Sequence, residues 1–211
     1  ALLPALNDAS PLVRYSALLE FRSTAPQQTQ ALAVRASNDP TRLLRIGAAQ
    51  LTIGLDINTL TAGEQAALKQ SQSELETMLN TNSDFATGRL QLGDYYMQKN
   101  DLKTAIKHYN MAINLDSLLL PVYSNLASAY SLNGENEKAL KTLNTYVRFD
   151  PTSARPYFLR ALIYFEMNQK EKAENDLIKA TQLDRKDPRI KYNLATYYFQ
   201  EKQYNKAVPV I

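Results

Sequence analysis

Residues 86–119 read ATGRLQLGDYYMQKNDLKTAIKHYNMAINLDSLL, and residues 120–153 read LPVYSNLASAYSLNGENEKALKTLNTYVRFDPTS. Residues 154–187 follow as ARPYFLRALIYFEMNQKEKAENDLIKATQLDRKD, and 188–211 as PRIKYNLATYYFQEKQYNKAVPVI. Laid over one another, these stretches keep one register with a step of 34 residues. Tyr96, Tyr130, Tyr164 and Tyr198 form one column; Gly93, Ala127, Ala161 and Ala195 a second; Ala105, Ala139, Ala173 and Ala207 a third. Leu115, Phe149 and Leu183 keep the step, each followed by an aspartate: Asp116, Asp150 and Asp184. A fixed period of this length is the mark of a stacked array of supersecondary units.

The small columns leave no bulk where two helices must approach closely. The Tyr column lies three residues after the first small column, on the same helix face, and supplies a large wedge. Short polar connectors separate two helices within each repeat: Lys99-Asn100-Asp101, Asn133-Gly134-Glu135, Asn168-Gln169-Lys170 and Lys202-Gln203. Asp150-Pro151 and Asp187-Pro188 stop one repeat and start the next, since a residue before proline is pushed out of the α region.

These columns resemble the tetratricopeptide repeat, a 34-residue helix-turn-helix. The likeness covers 86–119, 120–153, 154–187 and, incompletely, 188–211, and it implies an all-α solenoid whose first helices line a concave groove. It departs from the family at the Trp column, where Arg89, Tyr123, Tyr157 and Lys191 stand. Arg160 replaces the leucine seen at Leu92, Leu126 and Leu194, which predicts looser packing in the third repeat.

Residues 1–83 are different. They hold one of the 13 tyrosines, Tyr15, and carry a formal charge of −1 against +4 for the rest. A weaker step of 31 relates Asp8 to Asp39, Val13 to Leu44, Arg14 to Arg45 and Ala17 to Ala48. Ser10-Pro11 and Asp39-Pro40 read as helix caps with first-turn prolines. The Asp…Val-Arg…Ala pattern over about 2–53 is similar to HEAT repeats, which implies a ladder of Asp–Arg pairs between neighbours. Thr61-Ala62-Gly63-Glu64 is a capping box. Its helix is predicted to run to about Leu79 with Leu68, Leu75, Met78 and Leu79 buried, bridging two solenoids. The expected organisation is therefore 1–60 HEAT-like, 61–83 a bridging helix and 84–211 the tetratricopeptide array of about three and a half repeats.

Composition narrows the chemistry. With 45% apolar and 21% charged residues the 211-residue chain can bury a core. No cysteine means no disulfide, thiol nucleophile, thiolate metal site or C-x-x-C-H haem attachment within these residues. One histidine builds no His-rich metal site, and a net charge of +3 argues against nucleic acid. No apolar stretch approaches the roughly 20 residues of a membrane helix. No phosphate-cradling glycine loop occurs. His108, in Lys107-His108-Tyr109-Asn110, has no acid or nucleophile at helical spacing and reads as a solvent-facing residue. Acidic and basic runs such as Glu171-Lys172-Ala173-Glu174 and Arg185 to Lys191 read as solvated faces. The chain begins at Ala1 and ends at Ile211 in mid-pattern, and is expected to be part of something longer.

No enzyme, metal or cofactor is expected. The expected role is a protein-interaction scaffold binding a peptide or partner helix in the groove. Candidate groove residues are Met97, Asn125, Ser128, Arg155, Phe158, Leu162, Phe165, Tyr192, Asn193, Thr196 and Phe199, with Leu90, Asp94 and Ser124 beside them. Phe158, Leu162, Phe165, Tyr192 and Phe199 would form an apolar patch, a surface for a partner or for self-association. Tetratricopeptide domains that grip a C-terminal carboxylate do so with Lys and Asn; Asn125 and Arg155 match, while Leu90, Asp94 and Leu159 do not. The HEAT-then-tetratricopeptide order is also similar to accessory arms of bacterial multihaem cytochromes c. That likeness implies a periplasmic redox protein; without it a cytoplasmic location is expected.

Overall fold

The computed structural model describes residues 3–207, with the side chains of Pro26 and Gln27 left aside. Residues 208–211, assigned above to the last repeat, lie outside the described residues. All elements are helices: α1 Pro11–Thr24, α2 Pro26–Ala36, α3 Arg42–Leu51, α4 Ala62–Thr81, α5 Ala86–Gln98, α6 Leu102–Leu115, α7 Pro121–Leu132, α8 Asn136–Phe149, α9 Ala154–Glu166, α10 Lys170–Leu183, α11 Pro188–Gln200 and α12 Tyr204–Ala207. No strand occurs among the described residues, in line with an all-α fold. They form two compact units, 3–84 with 98–100, and 85–97 with 101–207.

In the first unit, Leu18, Ala33 and Ala48 bring α1, α2 and α3 into one buried cluster. Arg14 donates to both carboxylate oxygens of Asp39 at 3.0 Å, to the Thr41 hydroxyl, and to the carbonyls of Asp8 and Ala9. Arg45 repeats the device one step on, donating to the carbonyls of Asp39 and Pro40 and to the Glu74 carboxylate. Burial works against the Asp39 carboxylate, yet the bonds from Arg14 and Thr41 hold its pKa below the usual range. Val13 is 41% exposed whereas its counterpart in the 31-residue step, Leu44, is buried. One expectation needs correction. Asp39-Pro40 does not cap α3; Thr41 is the N-cap, and its amide donates to Asp39 two residues earlier. Thr61 and Glu64 do make a reciprocal capping box. The helix it opens buries Leu68, Leu75 and Leu79, leaves Met78 half-buried, and adds a polar anchor: Ser71, fully buried, donates to the Ser37 carbonyl at 3.2 Å.

In the second unit, the small columns do what their size allows. Gly93, Ala127, Ala161 and Ala195 are all buried, and so are Ala105, Ala139, Ala173 and Ala207. At Gly93 the approach is closest: a Cβ there would lie 2.3 Å from the Tyr109 ring. The junction between paired helices is also periodic. Asn100, Gly134, Asn168 and Lys202 all have left-handed φ. The amide that follows each donates back to the carbonyl of Tyr96, Tyr130, Tyr164 or Tyr198 at 2.8–2.9 Å, the C-terminal closure in which a left-handed residue turns the chain. The repeats end as regularly. Asp116, Asp150 and Asp184 each accept an amide two residues on, from Leu118, Thr152 and Lys186.

The Tyr column carries a further regularity. Lys138, Lys172 and Lys206 stand over the rings of Tyr130, Tyr164 and Tyr198 at 5.3–5.6 Å, a cation–π pair eight residues apart in each of these three repeats. The first repeat has Thr104 at that lysine position, and Tyr96 stacks on His108, 5.4 Å away and nearly parallel. His108 is thus half-buried rather than solvent-facing, with Nδ1 enclosed and unpartnered. Burial, helped by Arg89 and Lys107, holds its pKa below the ordinary imidazole value. The third repeat is not loosened by Arg160. Its guanidinium donates to both oxygens of buried Asp176 at 2.6 and 2.7 Å and to Asn144, and it lies over the Tyr157 ring. The Trp column is served by other means: the Tyr123 and Tyr157 hydroxyls donate to the turn carbonyls of Ser117 and Pro151.

Three outcomes follow for urea unfolding. Gly93→Ala should destabilise by about 1–3 kcal/mol despite alanine's better helix propensity, because the Tyr109 ring it strikes is buried and hydrogen-bonded. Arg160→Leu should cost about 3 kcal/mol by stranding Asp176, while Arg160→Leu with Asp176→Leu should come back to within about 1 kcal/mol of wild type or exceed it. Lowering the pH from 7 to 5 should reduce stability, since the unfolded chain takes up a proton that folded His108 resists. His108→Gln should flatten that segment of the profile.

Candidate functional site

Each first helix of the second unit offers a stripe at i, i+4 and i+7 beyond the residues that meet its own second helix. The stripes are Leu90, Asp94 and Met97 on α5; Ser124, Ser128 and Ser131 on α7; Phe158, Leu162 and Phe165 on α9; and Tyr192, Thr196 and Phe199 on α11. The first helices follow one another, with α7 against α9 and Phe165 of α9 against Tyr197 of α11 at 5.4 Å. The second helices lie behind them, α8 touching α7 and α9 and α10 touching α9 and α11.

The α5–α7 section is polar and internally bonded. The Tyr109 hydroxyl and the Asn125 amide both donate to Oδ1 of Asp94 at 2.8 Å. Burial foremost, then the neighbouring Asp94 carboxylate, raises the Tyr109 pKa far above the usual phenol value, so the hydroxyl stays protonated and donating. Asn125 is therefore half-buried and engaged across the helix pair. The Ser128 hydroxyl is spent on the Ser124 carbonyl of its own helix at 3.0 Å. Ser124 is fully buried, its hydroxyl without a partner among the described residues. Met97 packs beside the cluster of Val122, Leu126 and Ala129.

On α9, Arg155 is exposed and makes no hydrogen bond or ion pair among the described residues. Phe158 and Phe165 are half-buried against a cluster that includes Ala161, Leu177, Leu194 and Tyr197, Phe158 also against that of Tyr157, Ala180 and Ile190, and Leu162 is half-buried between them in sequence. On α11, Asn193 is half-buried and donates to the Arg189 carbonyl at 2.8 Å, and Thr196 is half-buried. Tyr192 and Phe199 are 71% and 65% exposed. The five apolar candidates therefore fall into two groups, half-buried Phe158, Leu162 and Phe165, and exposed Tyr192 and Phe199.

Sequence reasoning passed over Tyr109, whose hydroxyl organises the polar section, and Glu166, whose carboxylate lies 3.0 Å from the Ser131 hydroxyl. It also passed over Tyr197, which donates to Glu174; burial and that carboxylate push its pKa up to about 12. No group of three or more His, Cys, Asp or Glu that could hold a metal occurs among the described residues. No helix among them is long and apolar enough to cross a membrane. In the first unit an open cleft of about 480 Å³ is lined by Arg14, Arg35 and Asp39 among others, but Arg14 and Asp39 are committed to each other there.

Comparison with known proteins matches the repeat region. A family model described as TPR repeat matches residues 93–134, and one described as Tetratricopeptide repeat matches 120–153 and 154–187. No curated protein is similar enough in sequence to count as a match. Among solved structures, the first TPR of Spaghetti (RPAP3) bound to an HSP90 peptide is 20% identical, with a TM-score of 0.52, over 57% of this chain and 95% of that one. The Sgt2 TPR domain from Aspergillus fumigatus is 22% identical, with a TM-score of 0.52, over 57% and 82%. MamA from Desulfovibrio magneticus RS-1, residue 41 to its end, is 16% identical, with a TM-score of 0.57, over 82% and 92%. At these identities the structural likeness is one of fold. The bounds of the family-model matches, 120–153 and 154–187, agree with the 34-residue register, so tetratricopeptide repeats are matched over residues 93–187.

Proposed function

We propose that the second unit is a protein-interaction scaffold that binds a peptide segment along its first helices, with Met97, Asn125, Ser128 and Arg155 at the contact. The observation that carries this reading is Arg155, an exposed guanidinium with no hydrogen bond or ion pair among the described residues, in the repeat that follows half-buried Asn125. A peptide acid or backbone carbonyl is the group such a pair receives. The similar structure of Spaghetti, determined with an HSP90 peptide, lends support at the level of the fold. The grip differs from that of a carboxylate clamp: Leu90, Asp94 and Leu159 take the places of polar or basic residues, and Asn125 already bonds Asp94. Binding of this kind is typically micromolar, about 8 kcal/mol. We also read the first unit as HEAT-like, on the strength of its Arg14–Asp39 and Arg45–Glu74 ladder. Nothing in the comparisons supports the likeness to multihaem cytochrome arms.

The test is a peptide-array screen followed by titration of the captured peptides. Phe158→Ala is a poor probe, because Phe158 is packing. Arg155→Ala with Ser128→Arg should instead leave the melting temperature in place and weaken captured peptides by about tenfold or more. Equal binding by the variant would remove this surface from consideration.

A further inference from the structure

Three carboxylates that lose much of their water on folding have an arginine opposite them: half-buried Asp39 has Arg14, half-buried Glu74 has Arg45 and buried Asp176 has Arg160. Asp94 of α5 breaks this pattern. It is half-buried, and its Oδ1 accepts from the Tyr109 hydroxyl and the Asn125 amide, both neutral donors. Among the described residues it makes no ion pair, and its Oδ2 accepts no hydrogen bond. Neutral donors orient a carboxylate without cancelling its charge, and a charge drawn partly out of water is costly until a counter-charge arrives.

The surroundings of Asp94 select the counter-charge. Leu90 lies one turn before it and Met97 one turn after it on the same stripe, both half-buried against the cluster that includes Val122, Leu126 and Ala129. The stripes of α5 and α7 hold no lysine or arginine, so neither supplies the cation. A lysine side chain does what this place asks: its aliphatic stem lies on an apolar strip while its charged head reaches an acid. An arginine fork would engage both carboxylate oxygens. Oδ1 has already received two donors, so the remaining oxygen suits the single-point contact of an ammonium.

We propose that Asp94 is a lysine subsite: the segment bound along the first helices presents a lysine whose stem crosses Leu90 and Met97 and whose ammonium meets Oδ2 of Asp94. Tyr109 and Asn125 act as positioning residues, holding the carboxylate by its other oxygen. An acid or carbonyl of the same segment is left for Arg155. The subsite stands on the peptide-binding reading given above and narrows it to segments that carry a basic residue, a charge preference opposite to that of a carboxylate clamp.

The probe is an array of short peptides printed as twins that differ only in lysine or norleucine at one central position, screened with the whole chain and followed by anisotropy titration at low and high salt. The lysine twin should bind about tenfold more tightly at low salt, and the gap should narrow at high salt. Asp94→Asn, which keeps an acceptor for Tyr109 and Asn125, should bring the twins to near equality, whereas Arg155→Ala should weaken both and keep their ratio. An arm that needs no variant is carbodiimide coupling of the bound lysine peptide, with mass spectrometry expected to find the new amide at Asp94. Peptides captured without any lysine preference would overturn the subsite and leave peptide binding standing. A preference that Asp94→Asn retains, or coupling to other carboxylates with none at Asp94, would overturn it as well. Capture of no peptide at all would remove the subsite together with the reading it rests on.

Discussion

The second unit depends on how closely two helices of one repeat can approach. Backbone meets side chain at Gly93, Ala127, Ala161 and Ala195, where any larger residue would hold the pair apart. Once the pair is closed, the remaining geometry has little freedom. The tyrosine one turn later reaches the second helix, its carbonyl closes the left-handed junction, and in the second, third and fourth repeats its ring receives a lysine cation. A single column of small residues thereby sets which faces are consumed inside a repeat and which are left for the next.

Much of this was legible because it is periodic. The paired helices, their junctions and the buried small columns all follow from residues that recur every 34 positions. The capping box at Thr61 was legible for another reason: it is local, three residues wide, and independent of the tertiary context. What escaped were features that pair a change in one column with a change in another. Gly93 is the sole glycine of its column, and Tyr109 stands where later repeats have Leu143 and Leu177. The lost methyl and the added ring compensate each other. Arg160 looked like a defect for the same reason, since its partner Asp176 sits in a column with no obvious rule. His108 was misjudged because its ring stacks on Tyr96 of the paired helix, a contact that spacing along its own helix does not reveal.

The binding surface was less legible than the fold. Helix periodicity says which residues share a face; it does not say which face a neighbouring helix will cover. Phe158 and Tyr192 are equivalent by register and opposite by environment, one packed against α11 and the other in solvent. Asn125 illustrates the polar version. Its position suggested a ligand contact, and its amide is engaged by Asp94 from the preceding repeat, a pairing with a separation of 31 that the period of 34 does not reveal.

These pairings also constrain how such an array could be rearranged over evolutionary time. Gly93 with Tyr109, and Arg160 with Asp176, each lie within one repeat, so duplicating or transplanting that module carries both members along. Asp94 and Asn125 belong to successive modules. Shuffling their order would separate acid from amide and leave Tyr109 as the sole donor, so the modules that keep their own internal compensation are portable while their sequence along the rod is inherited as a block.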